Sequence, residues 1–192
     1  MNYYIDIILK PDAEMPTTVL MNAIYSKLHK QLFDLKLSTI GVSFPKYQLT
    51  LGNILRLHGT EEDLNKLKPM NWLGGMTGYC KISEVLLVPE NAKYRTVSRK
   101  QTSMSQAKVN RLLKRGSITK DQVKAYKAKM FSEQGLDHPY LDLVSNSTGQ
   151  RHRRYIVLGE LLNQPVFGEF DQFGFPKLDS VSGSKQATVA WF

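Results

Sequence analysis

Lys108, Arg111 and Arg115 stand three and four residues apart, so in a helix they share one face and form a basic ridge, with Lys114 in the same turn. Leu112 and Leu113 fall away from the centre of that ridge and can anchor the helix, leaving the cations outward. Arg151, Arg153 and Arg154 form a second cluster just after a turn-forming stretch. Each cluster alone reads as an ordinary solvated surface. Together they have the chemistry of a surface for a phosphate backbone. Arg99 and Gln101 lie two apart on a presumed strand and so point the same way. That pair suits base reading, because arginine can bond guanine O6/N7 and glutamine adenine N6/N7 in bidentate fashion.

The four histidines, at 29, 58, 138 and 152, are scattered, and no His/Asp/Glu cluster has metal-ligand spacing, so neither a metal nor another cofactor is expected. His29 lies one position past Leu28, at the edge of an apolar stripe and beside Tyr25 and Phe33. A half-buried histidine there has a structural reading and a chemical one. RNA carries its own nucleophile, since a 2′-hydroxyl attacks the adjacent phosphate once a group titrating near neutrality takes its proton, and imidazole suits that role. Ser145, Ser147 and Thr148, near Arg151, are hydroxyls that either orient a ribose or simply build a turn.

The elements that must hold these residues follow from pattern. Alternation from Tyr3 to Leu9 predicts a strand, closed by Pro11. Leu20, Ile24, Leu28 and Leu32 recur at i+4 spacing, which predicts a helix capped by Thr17 or Thr18 and ending near Leu37. Short strands over 40–44 and 54–58 should pair. Thr60-Glu61-Glu62-Asp63 has capping-box form ahead of a short helix to Pro69. Tyr79 to Val88 is expected to close the unit as one strand. The order β-α-β-β-α-β is the split, ferredoxin-like arrangement used by many RNA-binding modules.

After Pro89 the chain changes character. An extended basic stretch over 94–101 precedes a basic helix over 103–115, ended by Gly116. Thr119-Lys120-Asp121-Gln122 is a second capping box, opening a Lys-rich helix to about Ser132. Strands are expected over 140–145 and 153–158, with more β structure over 166–175. The fold class is therefore α+β, with a ferredoxin-like domain over 1–90 and a second α+β domain over 91–192 that carries the basic helix.

Composition sets the bounds. The 192 residues are 42% hydrophobic, enough for one large domain or two small ones. No run approaches the ~20 apolar residues of a membrane span, and the start lacks the features of a signal peptide, so a cytoplasmic protein with no membrane partner is expected. Cys80, the single cysteine, has no disulfide partner and reads as a core residue. The net charge of +9 is unevenly spread. Residues 93–155 hold 15 Lys/Arg against 4 Asp/Glu, a net +11, while the remainder holds 11 against 13. A neutral half joined to a basic half marks a polyanion binder.

Taken in order, Leu28-His29, GVSFP at 41–45, LRLHG at 55–59, YRTVSRKQ at 94–101, the basic helix, SNSTGQ at 145–150 and the terminal Trp191-Phe192 resemble the type I-F CRISPR repeat endoribonucleases along the whole chain. The resemblance implies an RNA hairpin held by the basic helix (Lys108, Arg111, Lys114, Arg115) and by Arg151 and Arg153. It implies base reading by Arg99 and Gln101 near the bottom of the stem, and metal-free cleavage at the stem base. It also implies retention of the product within a CRISPR surveillance complex, with that complex's other subunits as partners. His29 matches the family's catalytic histidine and Ser145 its catalytic serine, with Ser147 two positions on. Two positions depart. Phe173, before Gly174, stands where the family has a tyrosine, and a phenyl ring donates no hydrogen bond. His152 stands where an aromatic ring stacks on the closing base pair. The basic helix is also poorer in arginine, for which Lys124, Lys127 and Lys129 can compensate. The competing class is a hairpin-binding subunit that does not cut.

Overall fold

The computed structural model describes residues 1–69, 71–100, 106–133, 138–144, 149–177 and 186–192. The first sheet is built around β1 (Tyr3–Leu9), whose alternating burial puts Ile5, Ile7 and Leu9 in the core. β3 (Ile54–Gly59) pairs antiparallel with it, Ile5 opposite Leu57, and β2 (Gly41–Ser43) pairs with β3, Val42 opposite Leu57. The last expected strand is split in two, β4 (Cys80–Ile82) and β5 (Leu86–Leu87), both antiparallel to β1. At the break the Ser83 hydroxyl accepts the Asp6 N–H at 2.9 Å, a bond that a ladder carbonyl would otherwise take. The sheet order is β2-β3-β1-β4, with β5 beside β1. All strand pairs among the described residues are antiparallel.

Helix α1 (Thr17–Asp34) buries Leu20, Met21, Ile24, Tyr25, Leu28 and Leu32, the stripe expected from i+4 spacing. Neither threonine caps it. The helix starts directly after Pro16, so Thr17 and Thr18 already lie inside the first turn, and no side chain takes the cap bond. Its end comes three residues earlier than expected. Lys36 adopts φ 52° and the Leu37 N–H bonds back to the Leu32 carbonyl at 3.1 Å, closing the helix. Helix α2 (Glu61–Leu67) has the cap read from sequence, the Thr60 hydroxyl accepting from the Asp63 N–H. Two short 3₁₀ turns over Asn71–Tyr79, parted by a kink at Gly74 with φ 53°, were not foreseen and lead into β4.

In the second half, β6 (Lys93–Arg95) pairs with β10 (Val189–Trp191), and β7 (Val97–Arg99) and β8 (Tyr140–Val144) flank β9 (Arg151–Leu158). Helix α3 (Gln106–Lys114) closes at Gly116 with φ 70°, while α4 (Gln122–Glu133) opens on the reciprocal Thr119–Gln122 box. No strand forms over 166–175. There Asp171 Oδ1 accepts the N–H groups of Phe173 and Phe175 at 2.8 and 3.0 Å, which bends the chain into a loop with only an isolated Phe170–Pro176 bridge. One buried cluster, including Cys80, runs from β1 and α1 through Val97, Leu141, Ile156, Phe170 and Phe175 to Val189. Both sequence halves contribute to it.

Candidate functional site

The site forms where the 170–176 loop lies against α1. Val42 N–H donates to the Gly174 carbonyl at 3.0 Å, and Phe170 N–H donates to the Ser38 carbonyl at 2.8 Å. Gly174 has φ +73°, and a Cβ there would stand 2.5 Å from Val42 Cγ1, so the sharp turn on β2 requires glycine. The turn aims three groups at one face of α1.

Tyr25, fully buried, donates its hydroxyl to the Phe173 carbonyl at 2.5 Å. Burial, and then the negative charge of Asp171, hold its pKa well above the usual phenol value, so it stays a neutral donor. One helical turn on, the half-buried His29 places Nδ1 2.9 Å from the Gln172 carbonyl. A carbonyl only accepts, so Nδ1 carries the hydrogen, and in the neutral ring Nε2 holds the free lone pair. The Phe173 ring stacks flat on the imidazole, centroids 3.7 Å apart at 14°. The guanidinium of Arg154 lies 3.7 Å over the same phenyl ring, which leaves it the face opposite His29. The imidazole's orientation is thus fixed by a carbonyl and a stack, without a hydroxyl at position 173.

Period-two alternation on β9 splits the three arginines that sequence grouped together. Arg151 and Arg153 are exposed on one face, where Arg151 meets Asp142 at 3.3 Å and Arg153 lies 4.7 Å over the Tyr140 ring. Arg154 faces the other way with buried Ile156, as does exposed His152. Arg99 ends β7 opposite Ile156 and is exposed. It borders a cleft of about 530 Å³ with Ser98, Asp171, Phe175 and Lys177. On α3, Arg111 and Lys114 are exposed and Lys108 is half-buried, and Arg115, one residue past its end, is exposed. The buried anchor of that helix is Val109, while Leu112 and Leu113 are only partly covered. Gln101, Ser145 and Ser147 lie outside the described residues.

The structure therefore brings His29 and Phe173 together and sets Arg99 on the sheet that carries Arg154. Sequence reading missed the parts played by Tyr25, the Gln172 carbonyl, Asp171 and Arg154. For Arg154 a signal existed: it shares parity with Ile156 in an apolar stretch and so had to face inward. Among the described residues no group of three His, Cys, Asp or Glu side chains is placed to hold a metal ion, and no helix is long and apolar enough to cross a membrane.

Residues 4–192 match the family described as CRISPR-associated protein (Cas_Csy4). The whole chain aligns over the full length of two relatives, each named CRISPR-associated endonuclease Cas6/Csy4. One, from Escherichia coli (strain UTI89 / UPEC), is 38% identical, and the other, from Pseudomonas aeruginosa (strain UCBPP-PA14), is 33% identical.

Proposed function

Because the chain belongs to the CRISPR-associated Cas_Csy4 family of endonucleases, we propose that it processes CRISPR RNA by cutting at the base of a repeat hairpin, with His29 as the general base. The observation that carries this is the Nδ1–H···O=C bond to Gln172, which leaves Nε2 as the nitrogen open to take a proton. In the step, the 2′-hydroxyl proton passes to Nε2, the P–O2′ bond forms and the P–O5′ bond breaks. The 5′ oxygen leaves and takes up a proton from solvent, giving a 2′,3′-cyclic phosphate and a 5′-hydroxyl. No metal is required, because imidazole moves the proton and guanidinium groups offset the phosphate charge. Ser145 and Ser147 are assigned to orienting the ribose.

The exposed Arg111, Lys114 and Arg115, with Lys108, Arg151 and Arg153, are read as phosphate contacts, Arg99 and Gln101 as base readers, and His152 as the stacking ring. Residues 1–90 are read as a ferredoxin-like unit, which the element order and the β2-β3-β1-β4 sheet order support, with 91–192 as the RNA-recognition part. Retention of the cut hairpin within a type I-F surveillance complex in the bacterial cytoplasm completes the proposal. Incubation of the protein with its repeat hairpin RNA in EDTA tests it. The expected result is a shortened RNA with a cyclic phosphate end. Cutting only after Mg²⁺ is restored overturns the metal-free step, and a mobility shift with no cutting at all leaves a binding subunit in place of an enzyme.

A further inference from the structure

Arg154 differs from every other arginine near the site. Its Nε and Nη1 are shut off from solvent yet have no hydrogen-bond partner among the described residues. Nearby Asp171 has already committed Oδ1 to the backbone of its own turn, and the other close cation is Arg99. Burial and the positive charge of Arg99 both push the Arg154 pKa down, so its surroundings, taken together, disfavour its charge. Arg151 has a carboxylate within 4 Å and Arg56 has Asp6 at 2.7 Å, whereas among the described residues the buried Nε and Nη1 of Arg154 have no partner and its guanidinium lies over the Phe173 ring. Buried N–H groups left unpaired in this way are costly, and an anion brought in by a ligand would satisfy them. The Phe173 ring between them holds Arg154 and His29 at fixed separation, one on each face.

We propose that Arg154 binds a non-bridging oxygen of the scissile phosphate and stabilises the negative charge that builds on it as the 2′ oxygen attacks. The assignment rests on His29 being the base of the same step. A phosphate seated at the rim of the Phe173 ring meets both groups: the ribose hydroxyl turns to the imidazole side and the non-bridging oxygen to the guanidinium side. Phe173 then positions a base and an anion clamp at once, a role that needs a flat apolar ring and no hydroxyl. Arg154 would be catalytic in the strict sense, since it touches the reacting phosphate.

The test is single-turnover cleavage, at saturating protein, of hairpins carrying oxygen or one of the two sulfur diastereomers at the scissile phosphate. Arg154→Gln should cut the oxygen substrate about 10²–10³-fold more slowly, the loss typical of a removed oxyanion donor, and Arg154→Lys should recover part of that rate. Affinity for an uncleavable 2′-deoxy hairpin should change little. Wild-type protein should discriminate between the diastereomers, and Arg154→Gln should erase most of that discrimination, which a purely structural role would leave intact. Arg154→Met, whose linear chain keeps apolar packing on Phe173, supplies the same reading if the glutamine variant folds poorly. Wild-type rates in these variants, or slow cutting with the diastereomer ratio unchanged, overturn the assignment. Cutting by His29→Ala at the wild-type rate overturns the underlying mechanism instead, so the two failures are distinguishable.

Discussion

At the scale of single residues, the site turns on how an imidazole is held. Phe173 removes the hydroxyl that the resemblance led one to expect, yet the ring still covers His29 and the hydrogen bond comes from the backbone of Gln172. Phe173→Ala should therefore slow cleavage by about 10-fold or more, because a freed imidazole leaves its productive orientation. Phe173→Tyr should stay within about threefold of wild type. Single-turnover rates measure both, and equal rates for wild type and Phe173→Ala would show that the stack positions nothing. Arg99→Ala should cost about 1–3 kcal/mol of binding and relax discrimination at one base pair, and equal weakening for cognate and scrambled hairpins would rule out base reading. The histidine was legible in sequence as a half-buried residue at the edge of a stripe. Its tautomer was not, because the carbonyl that sets it lies 143 residues away in a loop with no periodic signal.

At the scale of elements, helices declared themselves and irregular backbone did not. The α1 stripe, the Thr60 cap and the Thr119–Gln122 box were all readable, since each is a local pattern of three or four residues. The 166–175 stretch was expected to hold β structure, but Asp171 competes for the backbone N–H groups there and Gly174 turns the chain back onto β2. Gly174→Ala should destabilise the protein by about 1–3 kcal/mol, through the left-handed backbone and the close approach to Val42, and should slow cleavage with it. An unchanged melting temperature would show that the loop is not anchored there. Helix α3 is argued from charge. Replacing Lys108, Arg111 and Arg115 with alanine should flatten the slope of log K against log salt by roughly 0.7–0.9 for each phosphate no longer neutralised, and an unchanged slope would place RNA elsewhere.

At the scale of the whole molecule, a neutral half and a basic half share one buried cluster, so α1, which carries His29, and the sheet that carries Arg99 and Arg154 pack on the same core. That core contains His58, fully buried against Ser43, with its pKa lowered to about 3 by burial and by Arg56. The unfolded chain binds this proton near pH 6.5 and the folded one only near 3, so stability is complete above about 6.5 and falls as pH drops towards 3. The slope is about 1.4 kcal/mol per pH unit inside that window. His58→Asn should flatten the acid limb of a denaturation series, and an identical limb would show that His58 does not set it. Charge asymmetry announced a polyanion ligand from sequence alone, whereas the union of both halves in one core came only with the strand pairing. The central claim is that His29 takes the ribose proton, and the most direct measurement is the single-turnover cleavage rate of His29→Ala in EDTA, with hairpin affinity measured beside it. The mechanism predicts a rate lower by roughly 10²–10⁴ with affinity nearly unchanged. A folded, RNA-bound His29→Ala protein that cuts at the wild-type rate would contradict it.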